Sequence, residues 1–204
     1  MNRPKTLSAS SEYDMMELVE QDLLEDHTAP YHAILKNDYE DVELLIEHDY
    51  GAGYSGSLEI TALKSDLQMH DEFIFSIRNK NLFDRINPFF GKNYIKTNIG
   101  ELDKNIVITS NQPDRVVEIL DNTEVISVLK CLKEFSFSIK INDAITNKHF
   151  TLELNINNIS RNHTKLSDAY HMFNIVSSKV QQYQKLMNVI NMAVWVTTSA
   201  FIRN

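Results

Sequence analysis

Seven histidines occur in the 204 residues, and a metal centre is the first chemistry they suggest. His70 stands beside Asp66, Asp71 and Glu72, and His163, Asp168 and His171 fall together at a helix start. A helix-borne zinc motif sets two histidines four apart with a positioned acid between them, and neither group has that spacing. The sequence therefore predicts a solvated acidic loop and a helix N-terminus, with no metal. A serine nucleophile needs a strained elbow with glycine two positions to either side; Gly53-Tyr54-Ser55-Gly56 misses that spacing and reads as a tight hairpin. A metal-dependent nuclease needs an Asp followed by an acid-x-Lys on the next strand. Pro113-Asp114 supplies the first part, but Ser138 stands two before Lys140, where the acid should be. Tyr50, Tyr54 and the phenylalanines at 73, 75, 83, 89 and 90 could line an apolar pocket, yet aromatic residues at alternating strand positions are the material of a core. Cys131 is the only cysteine, which excludes an internal disulfide and a cysteine-rich zinc site. Its place in the periodic run Val125–Leu132 predicts a buried, inert thiol. No catalytic residue and no cofactor are expected.

Charge narrows the partners. Twenty-eight acids face 20 bases, for a net charge of −8 with no basic run, so the counterion displacement that drives nucleic-acid binding has no source here. An acidic chain leaves room for a basic protein partner. The opening MNRPKTLSASSEYD has no apolar stretch of the secretory kind, so a cytoplasmic protein is expected. Apolar residues at 43% and charged residues at 24% place the chain among globular proteins.

These residues need elements to hold them. Residues 1–11 read as a disordered tail, residues 12–185 as one α+β domain, and residues 186–204 as an apolar helical extension. Ser10 or Ser11 caps a helix over about 12–26, and a short helical stretch is expected at Tyr31–Lys36. Residues 31–48 look like one ankyrin repeat, which has no second copy to stack on; the preferred reading is a strand at Val42–His48, a glycine-rich turn and a strand at Ser57–Lys64. Phe73, Phe75 and Ile77 alternate on one face of a third strand. A short strand, a turn at Asn98 and a strand over Asn105–Ser110 follow. A helix then starts at Pro113, with Val116, Val117 and Leu120 buried, and another covers Glu124–Lys133. Strands Phe135–Ile141 and His149–Ile156 form a hairpin, and a long helix begins near Leu166. The fold class is α+β: a mostly antiparallel sheet of about six strands, helices on one face, and a long C-terminal helix.

The stretch Ile95-Lys-Thr97, Leu102-Asp103 and Ile106-Val-Ile-Thr-Ser110-Asn111, ahead of a helix ending in Leu120, resembles a loose group of bacterial α+β domains of no established activity. Members tend to carry a K-T-G-x-x-x-[FL]-D turn before a strand ending in [ST]-[ND], with Asn98 here in the glycine position. The resemblance spans about residues 54–141. It implies a fold of this class and no catalytic residues.

The C-terminal helix is the most informative feature. Leu166, Phe173, Val180, Met187 and Val194 lie seven apart, and Ala169, Val176, Tyr183 and Ile190 lie three after the first four. No charged residue occurs from Leu186 to Ile202. Three readings are open: the helix folds back on the core, pairs with another chain, or touches a membrane. The last is disfavoured by 17 residues that include two asparagines, two threonines and a serine. The expected function is a non-catalytic binding or protein-interaction domain with an unidentified protein partner. It self-associates as a homodimer through Met187, Ile190, Val194, Trp195 and Phe201. The alternatives are a small-molecule or metal-binding enzyme, and an acidic antidote to a basic toxin.

Overall fold

The computed structural model describes residues 4–25, 30–37, 40–49, 58–69, 72–82, 84, 94–144, 147–159 and 162–201. In chain order the elements are β1 (Lys5–Ser8), α1 (Glu12–Glu25), β2 (Tyr31–Lys36), β3 (Asp41–Asp49), β4 (Leu58–Leu67) and β5 (Phe75–Asn79). They continue with α2 (Gly100–Asn105), β6 (Ile106–Ser110), α3 (Pro113–Leu120), α4 (Thr123–Cys131), β7 (Phe135–Ala144), β8 (Asn147–Asn157) and α5 (His163–Phe201). The strands form one eight-stranded sheet in the order β1-β2-β3-β4-β8-β7-β5-β6.

The fold is α+β, but about six antiparallel strands understates the sheet. It has eight, and β1 pairs in parallel with β2. Lys5–Ser8 is a strand where a disordered tail is expected. Its four residues carry too little pattern to stand out, and tertiary contacts hold it: Lys5 Nζ donates to Asp22 Oδ1 at 3.0 Å and Tyr31 Oη donates to Asp22 Oδ2 at 2.9 Å. Tyr31–Lys36 is also a strand and not the expected helix. Tyr31, Ala33 and Leu35 are buried, but Ile34 on the other face is apolar too, so the alternation is masked in the sequence. Residues 41–49 are strand, as preferred over the ankyrin-like helix.

Register separates the two faces. Ala33, Leu44, Leu63, Leu154, Phe137, Ile77 and Ile108 are successive partners across seven strands, and all are buried. One residue further along, Thr6, Ile34, Glu43, Lys64, Glu153, Ser138, Ser76 and Thr109 form a second row across all eight strands, and none is buried. This is the period of two read as packing. Buried residues of all five described helices, among them Met15, Leu102, Val116, Val125 and Phe173, belong to the same core cluster as the first row. Phe75 meets Phe137 edge-on with centroids 5.7 Å apart, and Phe137 lies 6.0 Å from Phe173 of α5, so the sheet and the long helix share one aromatic seam. Phe73, Phe75, Ile77, Phe137 and Ile139 all face inward, with Ile141 half-buried.

The segment before β6 follows its turn chemistry. Asn98 has φ 62°, the left-handed conformation that asparagine tolerates. Asp103 Oδ1 accepts from Thr97 N at 2.9 Å and from Thr97 Oγ1 at 2.8 Å, closing the turn. The short helix α2 between this turn and β6 is not anticipated by the sequence. Pro113 takes the first turn of α3, where a missing N–H is harmless. The buried side of α3 is Arg115, Val116, Ile119 and Leu120, whereas Val117, expected inside, is 40% exposed. Asn122 Oδ1 caps α4 by accepting from Glu124 N at 2.8 Å and Val125 N at 3.1 Å. Cys131, expected to be buried, is exposed: it ends α4 on the side away from Val125 and Leu129.

Candidate functional site

The sites proposed from sequence fall in different places. His70, Tyr50, Tyr54, Ser55, Phe83, Phe89 and Phe90 lie outside the described residues. His163 and His171 do not converge: His163 Nε2 sits 3.4 Å from Glu20, and His171 serves a different contact. Among the described residues no group of three histidines, cysteines or acids is arranged to hold a metal. Lys140 pairs with Glu153, a partly buried member of the second row. Burial pushes the Glu153 carboxyl up, but Lys140, Asn155 and Lys64 together bring it below its ordinary value.

Three polar clusters organise the helix side. His171 Nδ1 lies 2.6 Å from Glu12 Oε2 on α1, and its Nε2 lies 3.1 Å from Glu124 Oε2 on α4. Asn174 donates to the other Glu12 oxygen at 2.9 Å. Only the doubly protonated ring donates to both carboxylates. The Glu12 bond raises the imidazole pKa against the effect of burial, and Glu124 adds to it. A raised histidine pKa gives stability that is fully present below the ordinary value of 6.5 and lost as pH rises through the folded value. The expected outcome is that the melting temperature of the wild-type protein falls more than that of His171→Gln between about pH 5.5 and about pH 8.5, by differential scanning fluorimetry. Equal falls would remove the clamp from the account.

Arg115 is the second anchor. Its guanidinium lies 4.4 Å from the ring centroid of Phe73 and 3.6 Å from that of Tyr183, and Nη1 donates to Gln112 Oε1 at 3.0 Å. This sandwich fixes α3 against α5 at Tyr183. The buried stripe of α5 runs through Leu166, Ala169, Tyr170, Phe173, Val176 and Val180, and among the described residues Gln184 is the last that is buried. Beyond it Leu186 is 56% and Val189 64% exposed, and Met187 is half-buried. The helix itself continues to Phe201. Ile190, Val194, Trp195 and Phe201 are placed on that helix, and their side chains lie outside the described residues. At 39 residues α5 is about 58 Å long, against a radius of gyration of roughly 17 Å for a compact chain of this size. The N-terminal helix α1 packs on the first half of α5, through Glu12, Glu20, His163 and His171.

The third cluster was not foreseen. Glu40, immediately before β3, accepts three hydrogen bonds on Oε2: from Ser65 Oγ at 3.0 Å, Ser177 Oγ at 2.6 Å and Gln181 Nε2 at 3.0 Å. It lines a groove of about 980 Å³ between the β2–β3 end of the sheet and residues 181–188 of α5. Its donors lie 25, 137 and 141 positions away, so no local spacing could have announced it.

No family model, curated protein or solved structure matches the chain. The fold and these clusters define an α+β protein whose sheet carries helices on one face and, among the described residues, none on the other. No helix among the described residues is long and apolar enough to cross a membrane.

Proposed function

We propose that this chain is a non-catalytic, cytoplasmic interaction domain that self-associates through the C-terminal half of α5. The observation carrying this reading is the stripe of α5. Its seven-residue repeat packs onto the domain as far as Val180, Leu186 and Val189 beyond it are exposed, and in the sequence the repeat runs on through Met187, Ile190 and Val194. An apolar helical face that leaves its own core is an association site. A second copy fits it, because the a and d spacing that seats the first half against the sheet is the spacing with which two helices interlock. The lack of charge from Leu186 to Ile202 leaves no like-charge pairs to hold two such helices apart. An acidic body carrying an uncharged arm keeps the contact confined to the arm.

Light scattering after size exclusion tests it. The full chain should be a dimer. Removing residues 186–204 should give a folded monomer whose melting temperature is nearly unchanged, since Leu186 and Val189 contribute little burial to the domain. A full-length monomer, or a truncated protein that remains dimeric, overturns the reading.

A further inference from the structure

The first two elements are held to the rest of the fold by few buried groups. β1 is a four-residue edge strand with no buried side chain, and of the 14 residues of α1 only Met15 and Val19 are buried. Residues 9–11 alone join the two elements, so they move together. Six of the 14 residues of α1 are acidic and none is basic. Its polar ties to α5 come from two histidines and one asparagine. His171 Nδ1 lies 2.6 Å from Glu12 Oε2 in the first turn of α1, and His163 Nε2 lies 3.4 Å from Glu20 Oε1 about two turns on. Asn174 adds a neutral bond to Glu12 at 2.9 Å. Asp22 is held by Lys5 of β1, which travels with α1, and by Tyr31 Oη of β2.

Both histidines form ion pairs with these carboxylates only when protonated. Glu12 on α1 and Glu124 on α4 face His171, Asp168 stands one turn earlier on α5 itself, and Glu20 on α1 faces His163. A neutral His171 has one donor for two carboxylates, so it cannot keep both. The bonds to Glu12 and Glu124 raise its pKa, so the clamp is complete below 6.5 and weakens as pH rises through the folded value. The tie at Asp22 uses an aspartate, a lysine and a phenol, residue types that keep their charge between about pH 6 and about pH 8.5. We propose that β1–α1 is a strap that is held shut while His163 and His171 are protonated and opens more readily, as one unit, when both are neutral. Opening leaves the edge of β2 over Ala33–Lys36 without its partner strand. An edge freed in this way is a template for pairing with another strand.

Amide hydrogen exchange of the full-length chain, read by mass spectrometry, tests this at about pH 6 and about pH 8.5, with labelling times scaled to equal intrinsic exchange. The expected result is that protection over residues 5–8 and 12–25 falls together at the higher pH, by about three- to tenfold for two exposed ion pairs, while β7 and β8 keep theirs. The double variant His163→Gln, His171→Gln should show the lower strap protection at both pH values. Strap protection that does not change with pH, a fall shared equally by β7 and β8, or a double variant that keeps the wild-type pH response would each overturn the proposal. The wild-type comparison needs no substitution, so it decides the matter even if the double variant fails to fold. The strap shares no residue with 186–204, so its outcome is separate from that of the truncation.

Discussion

Phe137→Ala should lower the unfolding free energy by about 3–5 kcal/mol in urea denaturation, enough to threaten the fold. Phe137 has no exposed surface and touches both Phe75 and Phe173, so its loss opens a cavity at the seam between sheet and helix. Neither neighbouring element can close it easily: β5 is held in register on both sides, and α5 is anchored by Arg115 and His171. Ser138→Ala, one position on, should change stability by no more than about 0.5 kcal/mol, because Ser138 belongs to the row that faces away from the helices. Similar losses at the two positions would contradict the register.

Asp84→Ala should cost about 1.5–3 kcal/mol at neutral pH. Arg78 grips both oxygens of Asp84, at 2.6 and 3.0 Å, Tyr94 Oη donates at 2.7 Å and Asn81 N at 2.7 Å, while Asn81 Oδ1 accepts from Asp84 N at 2.9 Å. Such a forked pair ties β5 to the segment that follows it and to the approach to β6. The Arg78 bonds, opposed by burial and helped by Asn81 and Tyr94, hold the Asp84 carboxyl well below the usual carboxylate range. A depressed acid contributes stability that is present above its unfolded value of 3.8 and lost as pH falls through the folded value. The gap between wild type and Asp84→Ala should therefore be widest near neutrality and narrow in acid. A gap that does not change with pH would mean that the carboxylate charge is not what stabilises.

The sequence carried the core better than the edges. Phe73, Phe75, Ile77, Phe137 and Ile139 alternate strictly, and burial on one side only is what alternation encodes. Residues 163–201 read as helix because their repeat is long. β1 and β2 were lost for opposite reasons: four residues carry no pattern, and Ile34 gives β2 an apolar residue on its open face. Val117 and Cys131 show the same limit on helices, where a helical period names a stripe but not its width. The cluster at Glu40 was illegible because a carboxylate held by Ser65, Ser177 and Gln181 is created only when β3, β4 and α5 meet.

The strand order sets a waiting time on the ribosome. β4 lies at the middle of the sheet, yet its second neighbour is β8, and residues 67 and 157 are 90 positions apart. At translation speeds of 5–20 residues per second, the β2–β3–β4 meander exists for roughly 5–18 s with one long edge and its apolar face uncovered. Helix α5, made after β8, also packs on that face. A nascent chain in this interval is a template for strand pairing with its neighbours on a polysome. Slower folding is expected wherever such distant pairings must close before the core can seal. In this protein the core cannot seal until β8 and α5 have been made.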